Sequence, residues 1–159
     1  MKKKLFLLDA YALIYRAHFA FIKNPRINSK GLNTSAIFGF CNSLMEVINN
    51  HEPTHLAVIF DPPGGSNREG VFKDYKANRQ EMPEDIRNCM PYIFELLKAM
   101  NIHFEMEAGY EADDLIGTLA KQAEKKGFTT YMMTPDKDFG QLVSAVSYTH
   151  LRAHETLDH

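Results

Sequence analysis

The chain is 159 residues long, with 45% apolar and 24% charged residues, enough for one soluble globular domain with a sizeable core. No apolar run approaches the roughly 20 residues needed to span a bilayer, and the basic opening Met1 to Lys4 is followed by only four apolar residues before Asp9, too few for a signal peptide. The net charge of -2 excludes a generally basic nucleic-acid coat, yet the signs separate along the chain. Acids collect at Glu111, Asp113, Asp114, Asp136 and Asp138, and bases at Lys23, Arg26 and Lys30 and again at Arg68, Lys73, Lys76 and Arg79. A basic track can therefore lie beside an acidic pocket. Cys41 and Cys89 have neither metal nor redox spacing, so buried reduced thiols and a cytoplasmic location are expected, with no membrane partner.

Residues 4–8 read as a strand covered on both faces and ending at Asp9, followed by a helix from Tyr11 to Phe21. Asn33 or Thr34 can cap a second helix with its stripe on Ile37, Phe40, Cys41, Leu44, Val47 and Ile48. Leu56 to Phe60 is a second strand, again ending in an acid, Asp61. Pro62 to Asn67 breaks regular structure. Residues 68–79 are basic with a few aromatics, and composition alone favours a solvated surface helix there. Ile86, Met90, Ile93, Leu97 and Met100 mark a further helix, and Ile102, Phe104 and Met106 alternate like a strand. Glu111 to Gly127 reads as an amphipathic helix with acids in its first turn, and Phe128 to Met133 as a fourth strand running into Asp136 and Asp138.

This order predicts an α/β fold with a mostly parallel, helix-covered sheet. Ligand sites in such sheets lie beyond the carboxyl ends of the strands, where Asp9, Asp61 and Asp136 stand, with Glu111 following the remaining strand. One or two acids at a helix start are explained by the helix dipole. Three within Glu111, Asp113 and Asp114 strain that account, because like charges three apart repel. Two carboxylates about 4 Å apart cost about 4 kcal/mol at an effective dielectric of about 20, against a total stability of ~5–15 kcal/mol. Converging acids therefore imply bound cations, and an all-oxygen donor set favours Mg²⁺ or Mn²⁺. A pair of ions roughly 3.5–4 Å apart is the arrangement that serves phosphodiester hydrolysis. His18 is placed on a helix near the pocket; it and the other histidines lack partner spacing for catalysis.

Leu7-Leu8-Asp9 with Tyr15-Arg16, Val58 to Asp61, Tyr75-Lys76 with Arg79, Gly109 to Asp114 and Thr134 to Asp138 together resemble the 5′-nuclease, flap endonuclease-like family. Within it they look most like the N-terminal 5′→3′ exonuclease domain of bacterial DNA polymerases I. The resemblance runs from about residue 3 to about residue 144. It implies a PIN-like α/β core and two Mg²⁺ or Mn²⁺ ions, one activating water to attack DNA and release 5′-phosphorylated products. It implies metal ligation, direct or through water, by Asp9, Asp61, Glu111, Asp113, Asp114, Asp136 and Asp138. It turns 68–79 from a surface helix into part of a helical arch spanning about 62–83, where Lys76 and Arg79 are catalytic cations and Tyr75 stacks on a base. Arg16, Arg68, Tyr75, Lys76 and Arg79 become DNA contacts on 5′ flaps and nicked or gapped duplex, with a polymerase domain in cis in the full-length protein.

Residues 145–159 do not continue the resemblance and read as a truncated or frame-shifted end. A later family motif with further aspartates and a DNA-gripping helical hairpin are then missing, so the second ion and DNA would be held weakly. The competing readings are a PIN-type ribonuclease, a phospho-acceptor signalling module and an inactive DNA-binding remnant.

Overall fold

The computed structural model describes residues 2–63, 82–133 and 143–146. Strand β1 (Lys4–Asp9) leads into helix α1 (Ala10–Ala20), and a loop returns the chain through α2 (Ser35–Glu46) and a π-helical turn at Val47–His51. Then come β2 (His55–Ile59), α3 (Glu84–Ala99), β3 (His103–Glu105), α4 (Ala112–Lys125), β4 (Thr129–Met133) and β5 (Val143–Val146). The sheet order is β3-β2-β1-β4-β5, with β1 to β4 mutually parallel and β5 antiparallel at the edge. The expected α/β architecture with a mostly parallel sheet is therefore observed. β5 straddles position 144, where the sequence placed the end of the resemblance.

Both faces of the sheet are covered, which is why its central strands are apolar almost throughout. Phe6, Leu8, Val58, Phe60 and Met133 face α1, α2 and α3 through Leu13, Ile14, Phe40, Leu44, Ile86, Ile93 and Leu97. Leu7, Ala57 and Ile59 face α4 through Ala112, Ile116 and Ala120. The helical stripes read from the sequence thus fall on the core. α1 and α2 approach so closely at Gly39 that a Cβ there would collide with the Cβ of Ala17.

Two local expectations change. Thr34 occupies the N-cap position of α2 without a side-chain cap bond; Asn33 Oδ1 instead accepts from the Ser35 N–H at 3.1 Å and from Ser35 Oγ at 2.6 Å. Cys89 is buried as expected, but Cys41 is only half-buried; both thiols are free.

The connectivity reverses at β1. From β1 the chain moves outward to β2 and β3, then crosses by α4 on the opposite face to β4 on the other side of β1. Such a reversal opens a crevice at the carboxyl ends of the two flanking strands. Asp9 is the last residue of β1, at that crevice.

Candidate metal centre

Asp9 ends β1 and caps α1, where its Oδ1 accepts the Ala12 N–H at 3.3 Å. The residue serves two neighbouring elements, because a strand end and a helix start meet there with no intervening loop. β2 stops level with Asp9, Ile59 pairing with it, and Phe60 continues the ladder by donating its N–H to the Glu105 carbonyl at 2.9 Å. Asp61 is thus delivered just beyond the same edge. Its Oδ1 accepts the Ala112 N–H at 2.8 Å, so a residue that follows β2 is held by the free amide of the first turn of α4.

Gly109 (φ +87) makes the turn before α4 in a conformation that a side chain would disfavour. Glu111 then takes the N-cap position and forms a reciprocal capping box with Asp114: the Glu111 side chain accepts the Asp114 N–H, and Asp114 Oδ2 accepts the Glu111 N–H at 3.2 Å. The repulsion expected between these two acids is thereby offset by backbone donors, so this pair alone does not demand a cation. Asp113 lies between them in sequence, takes no part in the box and is exposed.

Three segments distant in sequence therefore bring Asp9, Asp61 and Asp113 into one electrostatic neighbourhood. Burial pushes the Asp9 carboxyl up to about 7; the Ala12 N–H opposes this, and the charges of Asp113 and Asp61 add to it. A carboxylate so destabilised at neutral pH is one that a cation would relieve. The donors are all carboxylate oxygens, which suits a hard divalent ion. Among the described residues, no three His, Cys, Asp or Glu side chains are grouped closely enough to enclose an ion by themselves. Asp136 and Asp138 lie outside the described residues, as do Arg68, Tyr75, Lys76 and Arg79.

Arg16 is exposed farther along α1 and takes no part in the acidic group. His18, expected near the pocket, is instead buried in the last turn of α1, at the opposite end of the helix from Asp9. Tyr11, which belongs to none of the motifs in the sequence, stands beside the acidic edge. It packs edge-on against Phe60 at 5.6 Å, and its phenol is pushed up by burial, by Asp61 and by Tyr15. Its position two residues after a strand-end aspartate was the available signal.

The profile of the family described as 5′-3′ exonuclease, N-terminal resolvase-like domain, matches residues 4–159. The chain belongs to this 5′-3′ exonuclease family. It is 46% identical over 145 residues to DNA polymerase I of Bacillus subtilis, covering 90% of this chain and 16% of that protein. It is 41% identical over 142 residues to a 5′-3′ exonuclease of Aquifex aeolicus, covering 89% of this chain and 48% of that one. The chain thus spans less than half the length of either relative. Among solved structures, it superposes on a bacteriophage T5 flap endonuclease captured in a pseudo-enzyme-product complex with DNA and metal ions. The TM-score is 0.56 at 19% identity, covering 86% of this chain and 50% of that one, a likeness of fold.

Proposed function

We propose that this chain is the N-terminal part of a metal-dependent 5′→3′ exonuclease or flap endonuclease, belonging to a DNA polymerase I and acting in the cytoplasm on 5′ flaps and nicked or gapped duplex. The observation that carries this reading is the meeting of Asp9, Asp61 and Asp113 at the carboxyl edge where the sheet connectivity reverses. Residues 1–144 form the N-terminal part of the catalytic domain, and 145–159 contribute no residue to the proposed chemistry.

Two Mg²⁺ or Mn²⁺ ions bound at this edge would neutralise the carboxylates, lower the pKa of a bound water and stabilise charge on the attacking and leaving oxygens. Asp9, Asp61 and Asp113 would hold them, with Asp136 and Asp138 as further ligands and Glu111 and Asp114 acting through water. Asp61 keeps one carboxylate edge on the Ala112 N–H, which fixes its orientation and leaves the other edge for ligation. The capping box fixes the start of α4 and so the position of Asp113. Lys76 and Arg79 would meet the phosphate as catalytic cations, Tyr75 would stack on a base, and Arg16 and Arg68 would contact the DNA backbone. The portion of a full-length relative that this chain does not span would complete the second ion site and the duplex grip.

The test is cleavage of a 5′-flap DNA with Mn²⁺ by the chain and by its Asp113→Ala variant. Cleavage by the first, with loss of cleavage and retained DNA binding in the second, is expected. Equal cleavage by both, or none by the parent with either metal, contradicts the proposal. Preferential cleavage of single-stranded RNA would assign a ribonuclease instead.

A further inference from the structure

Tyr11 is a polar side chain at the acidic edge to which the reading above gives no part. It lies in the first turn of α1, two residues beyond Asp9, and is half-buried. Its ring is fixed from two sides. It stands edge-on to Phe60 at 5.6 Å and 86°, and edge-on to Tyr15 at 6.5 Å and 68°. Phe60 is fully buried and immediately precedes Asp61, so the ring packs beside the end of β2 that leads to Asp61. No hydrogen bond ties its hydroxyl to another described residue.

The chemistry of the edge gives that hydroxyl a use. A phosphodiester brings negative oxygens into a site walled by carboxylates, and besides cations only neutral donors can meet them without adding repulsion. A phenol is an O–H donor at neutral pH and carries no charge there, so it meets a phosphate oxygen without repulsion. We propose that the Tyr11 hydroxyl donates a hydrogen bond to a non-bridging oxygen of the phosphate undergoing hydrolysis, a catalytic contact of this site supplied by α1. The contact rests on the function proposed above. It persists in the product, where the same phosphate is the new 5′ terminus.

The decisive substitution is Tyr11→Phe, which keeps the ring against Phe60 and removes only the hydroxyl. Two readouts are compared with the parent chain at equal thermal midpoint. They are single-turnover cleavage of a 5′-flap DNA with Mn²⁺, and the ratio of affinities for a 5′-phosphorylated and a 5′-hydroxyl oligonucleotide with Mg²⁺. A lost hydrogen bond to a charged group predicts roughly 10- to 100-fold slower cleavage and a comparable fall in the phosphate preference, with affinity for the 5′-hydroxyl oligonucleotide unchanged. A parent that cleaves or prefers the 5′-phosphate, with Tyr11→Phe matching it, overturns the tyrosine contact alone. So does a variant that weakens both oligonucleotides equally. A parent showing neither cleavage nor preference overturns the nuclease function and the contact together.

Discussion

The two ends of the same sheet are built on opposite principles. At the amino end, polar groups find local partners: Thr54 Oγ1 accepts the Lys4 N–H at 2.7 Å and donates to the Lys4 carbonyl at 2.9 Å, and the Lys3 ammonium sits 5.3 Å above the Phe128 ring. The His55 ring packs edge-on against the same phenylalanine at 4.6 Å. At the carboxyl end, burial pushes Asp9 toward protonation, and the charges of Asp113 and Asp61 add to that push. One end pairs these polar groups locally, whereas the other keeps a charge conflict that costs stability and persists in the fold. Conflicts of this kind concentrate at functional sites, where a ligand absent from the free chain resolves them.

Substitutions at the two kinds of position should therefore separate activity from stability. The largest effect is expected at Asp61. Asp61→Asn keeps an oxygen for the Ala112 N–H but removes the charge, so flap cleavage should fall by about 100-fold or more while the metal-free denaturation midpoint at pH 7 does not fall. In the core, Phe40→Ala should cost about 3–5 kcal/mol in denaturant unfolding, because it empties a fully buried site where α2 meets the sheet. It should leave the pH dependence of stability unaltered. Gly39→Ala should also destabilise the fold, by about 1–3 kcal/mol, through its collision with Ala17.

The acidic edge should also show itself in pH dependence. Asp9 has an ordinary value of 3.8 and a folded value of about 7, so the folded state binds the extra proton between them. Its contribution to stability is full below pH 3.8 and is lost as pH rises to about 7. That loss amounts to a few kcal/mol in metal-free protein, and Asp9→Asn should flatten it. A wild-type profile already flat over this range would break the comparison. Smaller still, Glu111→Ala should cost about 0.5–2 kcal/mol by opening the capping box. Smallest, removing the exposed His103–Glu105 pair on the edge strand should change stability by less than about 1 kcal/mol.

The fold was legible because its signals are periodic and redundant. Leu5 to Leu8 read as a doubly covered strand, and Ile86, Met90, Ile93 and Leu97 as a helical stripe; both lie in the core. Strand order was not legible, since nothing local in β4 says that it pairs with β1 rather than β3. At the site, the strand-end positions of Asp9 and Asp61 were visible because a period ended in an acid. The capping box was hidden: Glu111 and Asp114 look like repelling charges until the backbone donors beneath them are placed. Tyr11 was faint because its place two residues after Asp9 is its one sequence signal, and its packing against Phe60, distant in sequence, is visible only in the fold.

The central claim is the proposal that Asp9, Asp61 and Asp113 each contribute to one divalent-cation centre that further ligands complete. Its most direct test is a Mn²⁺ titration at pH 7 that follows both bound ion and thermal midpoint, in the wild-type chain and in Asp61→Asn. Saturable binding that raises the wild-type midpoint, and is weakened at least tenfold by the substitution, is the predicted result. Binding that is absent, or equally strong in both proteins, would contradict it.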